Sequence, residues 1–152
     1  MITYNNIINR LEQFATSNVF LKSFTHGSPA SSQEDKFKQY PTMHALYTGA
    51  TYDGTSKEYS FDLYILDYPA DKADKQDFQA QAVSNCEQVA EDILADIRNG
   101  HFAFTEADFY EVTSAVSTPL EDTTSNALSG ILLSISIEVG NHLDACNSPL
   151  NT

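Results

Sequence analysis

Lys57-Glu58-Tyr59-Ser60-Phe61-Asp62-Leu63-Tyr64-Ile65-Leu66-Asp67-Tyr68 decides the fold. Tyr59, Phe61, Leu63 and Ile65 point one way along an extended chain, and Ser60, Asp62 and Tyr64 point the other. One-sided alternation of this kind predicts a strand over 57–68 in an antiparallel sheet with one covered face. Upstream, Met43 to Tyr52 predicts its hairpin partner. The connection Asp53-Gly54-Thr55-Ser56 carries the Asp-Gly dipeptide that supplies positive φ.

Further upstream, Ile7, Ile8, Leu11, Phe14 and Ala15 recur at three- and four-residue spacing and predict a helix over Tyr4–Thr16. Thr3 is its candidate N-cap, and Ser17-Asn18 ends it. Val19 to Phe24 reads as a short strand. His26 to Tyr40 is polar and Ser-rich, with Gly27 and Pro29, and predicts a long loop or arm at 26–40. Loops of that length in a compact domain are usually functional or disordered. Two of the chain's eight basic residues, Lys36 and Lys38, lie in it.

Downstream, Ala82, Cys86, Val89, Ala90, Ile93 and Ile97 form the apolar stripe of a helix over Phe78–Asn99. Asp71, Asp74 and Asp77 sit towards its N-terminus, where acids favour the macrodipole. Arg98 lies in its last turn and Gly100 at the C′ position. Glu87 with Glu91, and Asp92 with Asp96, are like-charge pairs at i,i+4, costing a few tenths (~0.2–0.5) of a kcal/mol each. They are expected on the helix's outer face. Glu111 to Ser117 and Leu128 to Val139 read as strands, joined through the acidic turn Pro119-Leu120-Glu121-Asp122-Thr123-Thr124. Gly130 reads as a bulge. The order α-β-β-β-α-β-β predicts an α+β fold: a largely antiparallel sheet of four or five strands, with two helices on one face. Residues 1–140 form one expected domain, and 141–152 a polar C-terminal tail.

Composition narrows the function classes. The chain of 152 residues has 21 acidic against 8 basic residues, a net charge of −13. No basic residue follows Arg98, yet seven acids do, so 99–152 carry −7 and 1–98 carry −6. Nucleic-acid binding draws most of its affinity from Lys and Arg on phosphates; a chain so short of bases is expected to repel DNA and anionic membranes. The N-terminus has no basic n-region followed by an apolar run, so no signal peptide is expected, and synthesis in the cytoplasm follows. No stretch approaches the ~20 apolar residues of a membrane span. Two cysteines, Cys86 and Cys146, are too few for a disulfide framework; Cys86, on the helix stripe, reads as a buried thiol.

Catalytic patterns are missing. Of His26, His44, His101 and His142, only His142 has a His or Cys three or four residues away, Cys146, and two such residues do not make up the ligand set of a metal site. His44 lies on a predicted strand and reads as structural. The chain has no Gly-x-Ser-x-Gly elbow, no phosphate-binding loop and no dinucleotide fingerprint. Asp71, Asp74 and Asp77 lack the glycine and terminal glutamate of a calcium loop. Carboxylate catalysis needs an acid raised in an apolar pocket, whereas Glu91-Asp92 and Glu121-Asp122 read as solvated. No enzyme activity, metal or cofactor is expected.

Several segments together carry a resemblance: Phe24-Thr25-His26-Gly27-Ser28, Tyr40-Pro41, Tyr59 to Asp67, Ser84 to Leu94, and Thr118-Pro119-Leu120 leading into Ala127-Leu128-Ser129-Gly130-Ile131. Their succession resembles small virion proteins of tailed bacteriophages, of the tail-terminator and head–tail joining kind, over roughly residues 1–140. The chain departs from them in having Gly27-Ser28 where a Gly-Asp pair is common, and Ile131 where an aromatic residue is. The resemblance implies a homo-oligomeric ring, typically hexameric, at the neck or tail-tube end of the virion. DNA would pass through it unbound, and other neck and tail proteins would be its neighbours. Such a chain would be made in the host bacterial cytoplasm and located in the virion. The corresponding assembly surface is His26, Gly27, Lys36, Phe37, Lys38 and Tyr40. The corresponding acidic channel or partner surface is Glu87, Glu91, Asp92, Asp96, Glu121 and Asp122. The acidity also fits a different class, an inhibitor that mimics DNA and blocks a host nucleic-acid enzyme.

Overall fold

The computed structural model describes residues 2–27, 39–68, 75–100, 103–104, 110–120 and 128–140, with side chains from 78 onward in the second helix and up to 139 in the last strand. Helix α1 spans Tyr4–Ser17. Thr3 caps it: its hydroxyl accepts from the Asn6 N–H, and the Asn6 side chain accepts in return from the Thr3 N–H. This reciprocal box satisfies amides that a helix start leaves orphaned. Ile7, Ile8, Leu11, Phe14 and Ala15 are buried, as their spacing predicts.

The chain then turns at Asn18, whose side-chain oxygen accepts from the amides of Phe20 and Leu21. That local turn competes with strand pairing, so strand β1 spans Ser23–His26 rather than Val19–Phe24, and Val19 is exposed. Strands β2 (Thr42–Asp53) and β3 (Ser56–Asp67) form the predicted hairpin, closed at the Asp53–Ser56 pair with Gly54 at φ 53°. Helix α2 spans Lys75–Asn99 and buries Ala82, Cys86, Val89, Ala90, Ile93 and Ile97. Gly100, at φ 68°, donates its N–H to the Asp96 carbonyl at 2.7 Å and ends the helix. Strands β4 (Glu111–Leu120) and β5 (Ser129–Gly140) follow. β4 therefore runs through Pro119 and Leu120, which the sequence reading assigns to a turn.

The five strands lie in the order β1-β2-β3-β5-β4. All pairings are antiparallel except β1 with β2. The fold is α+β, with a sheet that is mostly antiparallel and both helices on one face. Tyr59, Phe61, Leu63 and Ile65 of β3 meet Ile131, Leu133, Ile135 and Ile137 of β5, and the buried faces of α1 and α2 close over them in one core. Apolar burial of this kind is worth roughly 1.5–3 kcal/mol per large side chain. The opposite face is polar and half-exposed at its centre, where Ser134 donates to Asp62 at 2.8 Å and Ser60 meets Ser136 at 3.2 Å.

Gly130 forms no bulge. It pairs in register with Leu66 and Leu120. A Cβ there would collide with the Ile65 carbonyl oxygen, so the glycine serves a close backbone approach. The irregularities fall elsewhere, between Tyr47 and Gly49 on β2 and between Val112 and Ser114 on β4. The first lets Tyr47 and Ala50, three residues apart, both pack against the core.

Candidate functional surfaces

Of the six expected assembly residues, His26, Gly27 and Tyr40 are described; Lys36, Phe37 and Lys38 lie outside the described residues. The structure does not bring the three together. His26 pairs with Ala45, whereas Tyr40 lies beyond Thr42, the partner of Ser23, so the length of β1 separates them. His26 is exposed. Gly27, at φ 110°, is tied to β2: its N–H reaches the Ala45 carbonyl at 3.1 Å, and its carbonyl lies 3.1 Å from His44 Nε2. A carbonyl only accepts, so Nε2 donates there, while Nδ1 meets the Thr25 hydroxyl at 2.7 Å. His44 is buried and has the structural role its strand position predicts.

The acids of α2 do not form one surface. Glu87 and Glu91 are exposed. Asp92 is exposed too, accepts from Gln88 at 3.2 Å, and borders a cleft of about 380 Å³ with Phe14, Asn18, Val19 and Ala95. Asp96 overturns the expectation of an outer-face acid. It is 3% exposed, and its Oδ2 accepts the buried Ala103 N–H at 3.0 Å. Arg10 of α1 donates to the Ala103 carbonyl at 3.1 Å. Asp96 and Arg10 thus hold the N–H and the C=O of one residue from two helices, and burial of Asp96 is compensated by hydrogen bonding. Glu121 and Asp122 lie outside the described residues, as do His101, His142, Cys146, the side chains of Asp71, Asp74 and Asp77, and the polar tail.

Titrating groups in the core have structural explanations. Burial pushes the Cys86 thiol up to about 12, with the charge of Asp67 adding to the rise. Cys86 is a free, inert thiol. Burial also raises the Asp67 carboxyl above its ordinary value, against the Tyr68 N–H that bonds it at 2.8 Å. Lys57 lies 4.7 Å from the Tyr52 ring centre and 4.5 Å from that of Tyr59. Burial lowers its affinity for the proton, but hydrogen bonding and charge interaction with Tyr52 and Tyr59 together outweigh this and leave it raised. Among the described residues no three His, Cys, Asp or Glu side chains gather to hold a metal, and no helix is long and apolar enough to cross a membrane.

The feature that residue patterns missed is the edge position of β4. Eight of its ten residues are exposed, where β3 has none. By register, Ala115, Ser117 and Pro119 stand beside Ile135, Leu133 and Ile131 on the helix-bearing side. Those β5 residues are buried, yet their β4 neighbours are exposed on the same side. Past Val112, which packs against the core, β4 is largely exposed, and no strand among the described residues pairs with its outer edge. Pro119 was the available signal, because proline within a strand marks an edge. No protein-family model matches the chain, and no curated protein matches it either.

Proposed function

We propose that this chain is a structural virion protein of a tailed bacteriophage, one subunit of a ring at the head–tail connector or tail-tube end through which DNA passes. The observation that carries the reading is the α-β-β-β-α-β-β order on a sheet whose two outer strands, β1 and β4, are both left at its edges. A long exposed edge is a liability in an isolated protein unless something pairs with it, and ring subunits have neighbours on both sides. The acidity supports the same role: a lumen of negative charge repels phosphates, so DNA slides without sticking. The ring reading assigns no catalytic residue, metal or cofactor.

The inhibitor reading is weaker, because a DNA mimic needs a row of exposed acids. With Asp96 turned inward, the exposed acids among the described side chains of α2 are Glu87, Glu91 and Asp92. Native mass spectrometry of the purified chain tests the ring. A discrete homo-oligomer, six copies by the resemblance, is the expected result. A chain that stays monomeric at every concentration, and is missing from purified virions, would refute it.

A further inference from the structure

We infer that copies of this chain join head to tail through the two edges of the described sheet, β4 of one copy lying antiparallel to β1 of the next. The inference rests on the assembly reading above and specifies where its contact lies.

Three observations carry it. The first is direction. β1 runs parallel to β2, β2 and β5 each run antiparallel to β3, and β4 runs antiparallel to β5. β1 and β4 therefore point in opposite senses across the sheet. A neighbour that continues the sheet in the same orientation brings its β1 alongside β4 as an antiparallel pair.

The second is level. Residues pair in rows across the sheet, and one row runs His26, Ala45, Leu63, Leu133, Ser117; another runs Ser23, Thr42, Leu66, Gly130, Leu120. The four residues of β1 thus stand at the level of 117–120 on the other edge. Pro119 has no N–H to donate there, which keeps the ladder short, as the length of β1 also does.

The third is charge, and it selects the occupant. Val112 to Leu120 contains no charged residue, so the edge itself lacks the lysines that commonly guard exposed strands. Acids bracket it in sequence: Glu106, Asp108 and Glu111 before, Glu121 and Asp122 after. A two-fold contact, β4 on β4, would run antiparallel and set the acids at one end against those at the other, and opposed like charges destabilise a sheet. The β1 edge is different. Residues 13–33 contain no acid at all, in a chain with 21, and include Lys22. The least acidic edge of one copy therefore meets the most acidic margin of the next. Such a contact is heterologous, and heterologous contacts close into rings when the rotation allows.

Cysteine trapping tests it. In a Cys146→Ser background, with Cys86 buried, Ser117→Cys is combined in turn with Ser23→Cys, Thr25→Cys or His26→Cys. Antiparallel neighbours place Cα atoms about 4.5–5.5 Å apart, within reach of a disulfide. Under mild oxidation at least one double variant is expected to form a ladder of covalent multimers on a non-reducing gel, which neither of its single variants forms. Sedimentation velocity under reducing conditions is run beside it. Homodimers from Ser117→Cys alone would mean a two-fold β4 contact and overturn the proposal. Assembly without a ladder in any of the three pairs would overturn the edge contact and leave the ring standing. A monomer throughout would overturn both.

Discussion

Replacing Asp96 by Ala separates a surface acid from a structural one. On the outer face of α2, one turn from Asp92, its loss would relieve a like-charge pair and stabilise the chain by about 0.2–0.5 kcal/mol. The structure requires the opposite. Asp96 is 3% exposed and holds the Ala103 N–H, itself in a residue 2% exposed. Truncation removes a hydrogen bond to a charged group, worth about 1.5–3 kcal/mol, and strands a buried donor. A loss of about 2 kcal/mol is the central expectation, and in a domain of this size it lowers Tm by about 4–8 °C. Asp92→Ala is the control, because Asp92 is exposed and only accepts from Gln88; its effect should stay within about 0.5 kcal/mol. Thermal melts followed by circular dichroism, with urea titrations for the free energy, measure both. Equal melting of Asp96→Ala and the parent chain would refute the buried-clamp reasoning. So would a fall for Asp92→Ala as large as that for Asp96→Ala.

Gly130→Ala should cost about 1–3 kcal/mol, because its Cβ would meet only backbone of Ile65 and Leu66, and β3 and β5 would have to part; an unchanged urea midpoint would contradict that close approach. Asp67→Asn should raise Tm at neutral pH. The fold raises the Asp67 carboxyl, so its contribution to stability is fully present below the ordinary value of 3.8 and is lost as pH rises through the folded value. The variant's advantage, less than about 1 kcal/mol for a half-exposed group, should vanish below that pH; a gap that persists or widens in acid would show the sign to be wrong.

What the sequence made legible follows from period. Tyr59 to Ile65 and Ile131 to Val139 alternate strictly because each strand has one buried and one open face. The α2 stripe is legible for the same reason at period 3.6. The misreadings arise where local hydrogen bonding or non-local geometry outweighs period. Asn18 captures two amides and delays β1 by several residues. The break before Gly49 moves Tyr47 and Ala50 to one face, which alternation forbids. Gly130 looks like a bulge in one dimension, yet its reason is the Ile65 carbonyl of another strand. Asp96 sits three residues after buried Ile93 and beside Ile97, at the stripe's border, although its i,i+4 pairing with Asp92 reads as an outer-face pair. Its partner, the Ala103 amide, belongs to a different segment and leaves no mark in the α2 pattern.

The same distinction separates side-chain motifs from sheet edges. Motifs report side-chain chemistry: a nucleophile beside a base, ligands at fixed spacing, glycines around a phosphate. A sheet edge is a row of backbone N–H and C=O groups, present whatever the side chains are. Its only traces in sequence are indirect. In β4 they are Pro119, the weak alternation of Val112 to Thr118, and the lack of charge between Glu111 and Glu121. Read as side chains, those ten residues give a strand over Glu111–Ser117 but no sign of which edge it leaves open. Placed outside β5, with Ala115, Val116 and Pro119 exposed, they form the longer of the two edge strands of the described sheet. Acidity then acts as a filter on which surface meets that edge. It keeps most faces of a chain at −13 apart, opposes a two-fold β4 contact, and leaves the acid-free β1 margin as the surface best matched to it.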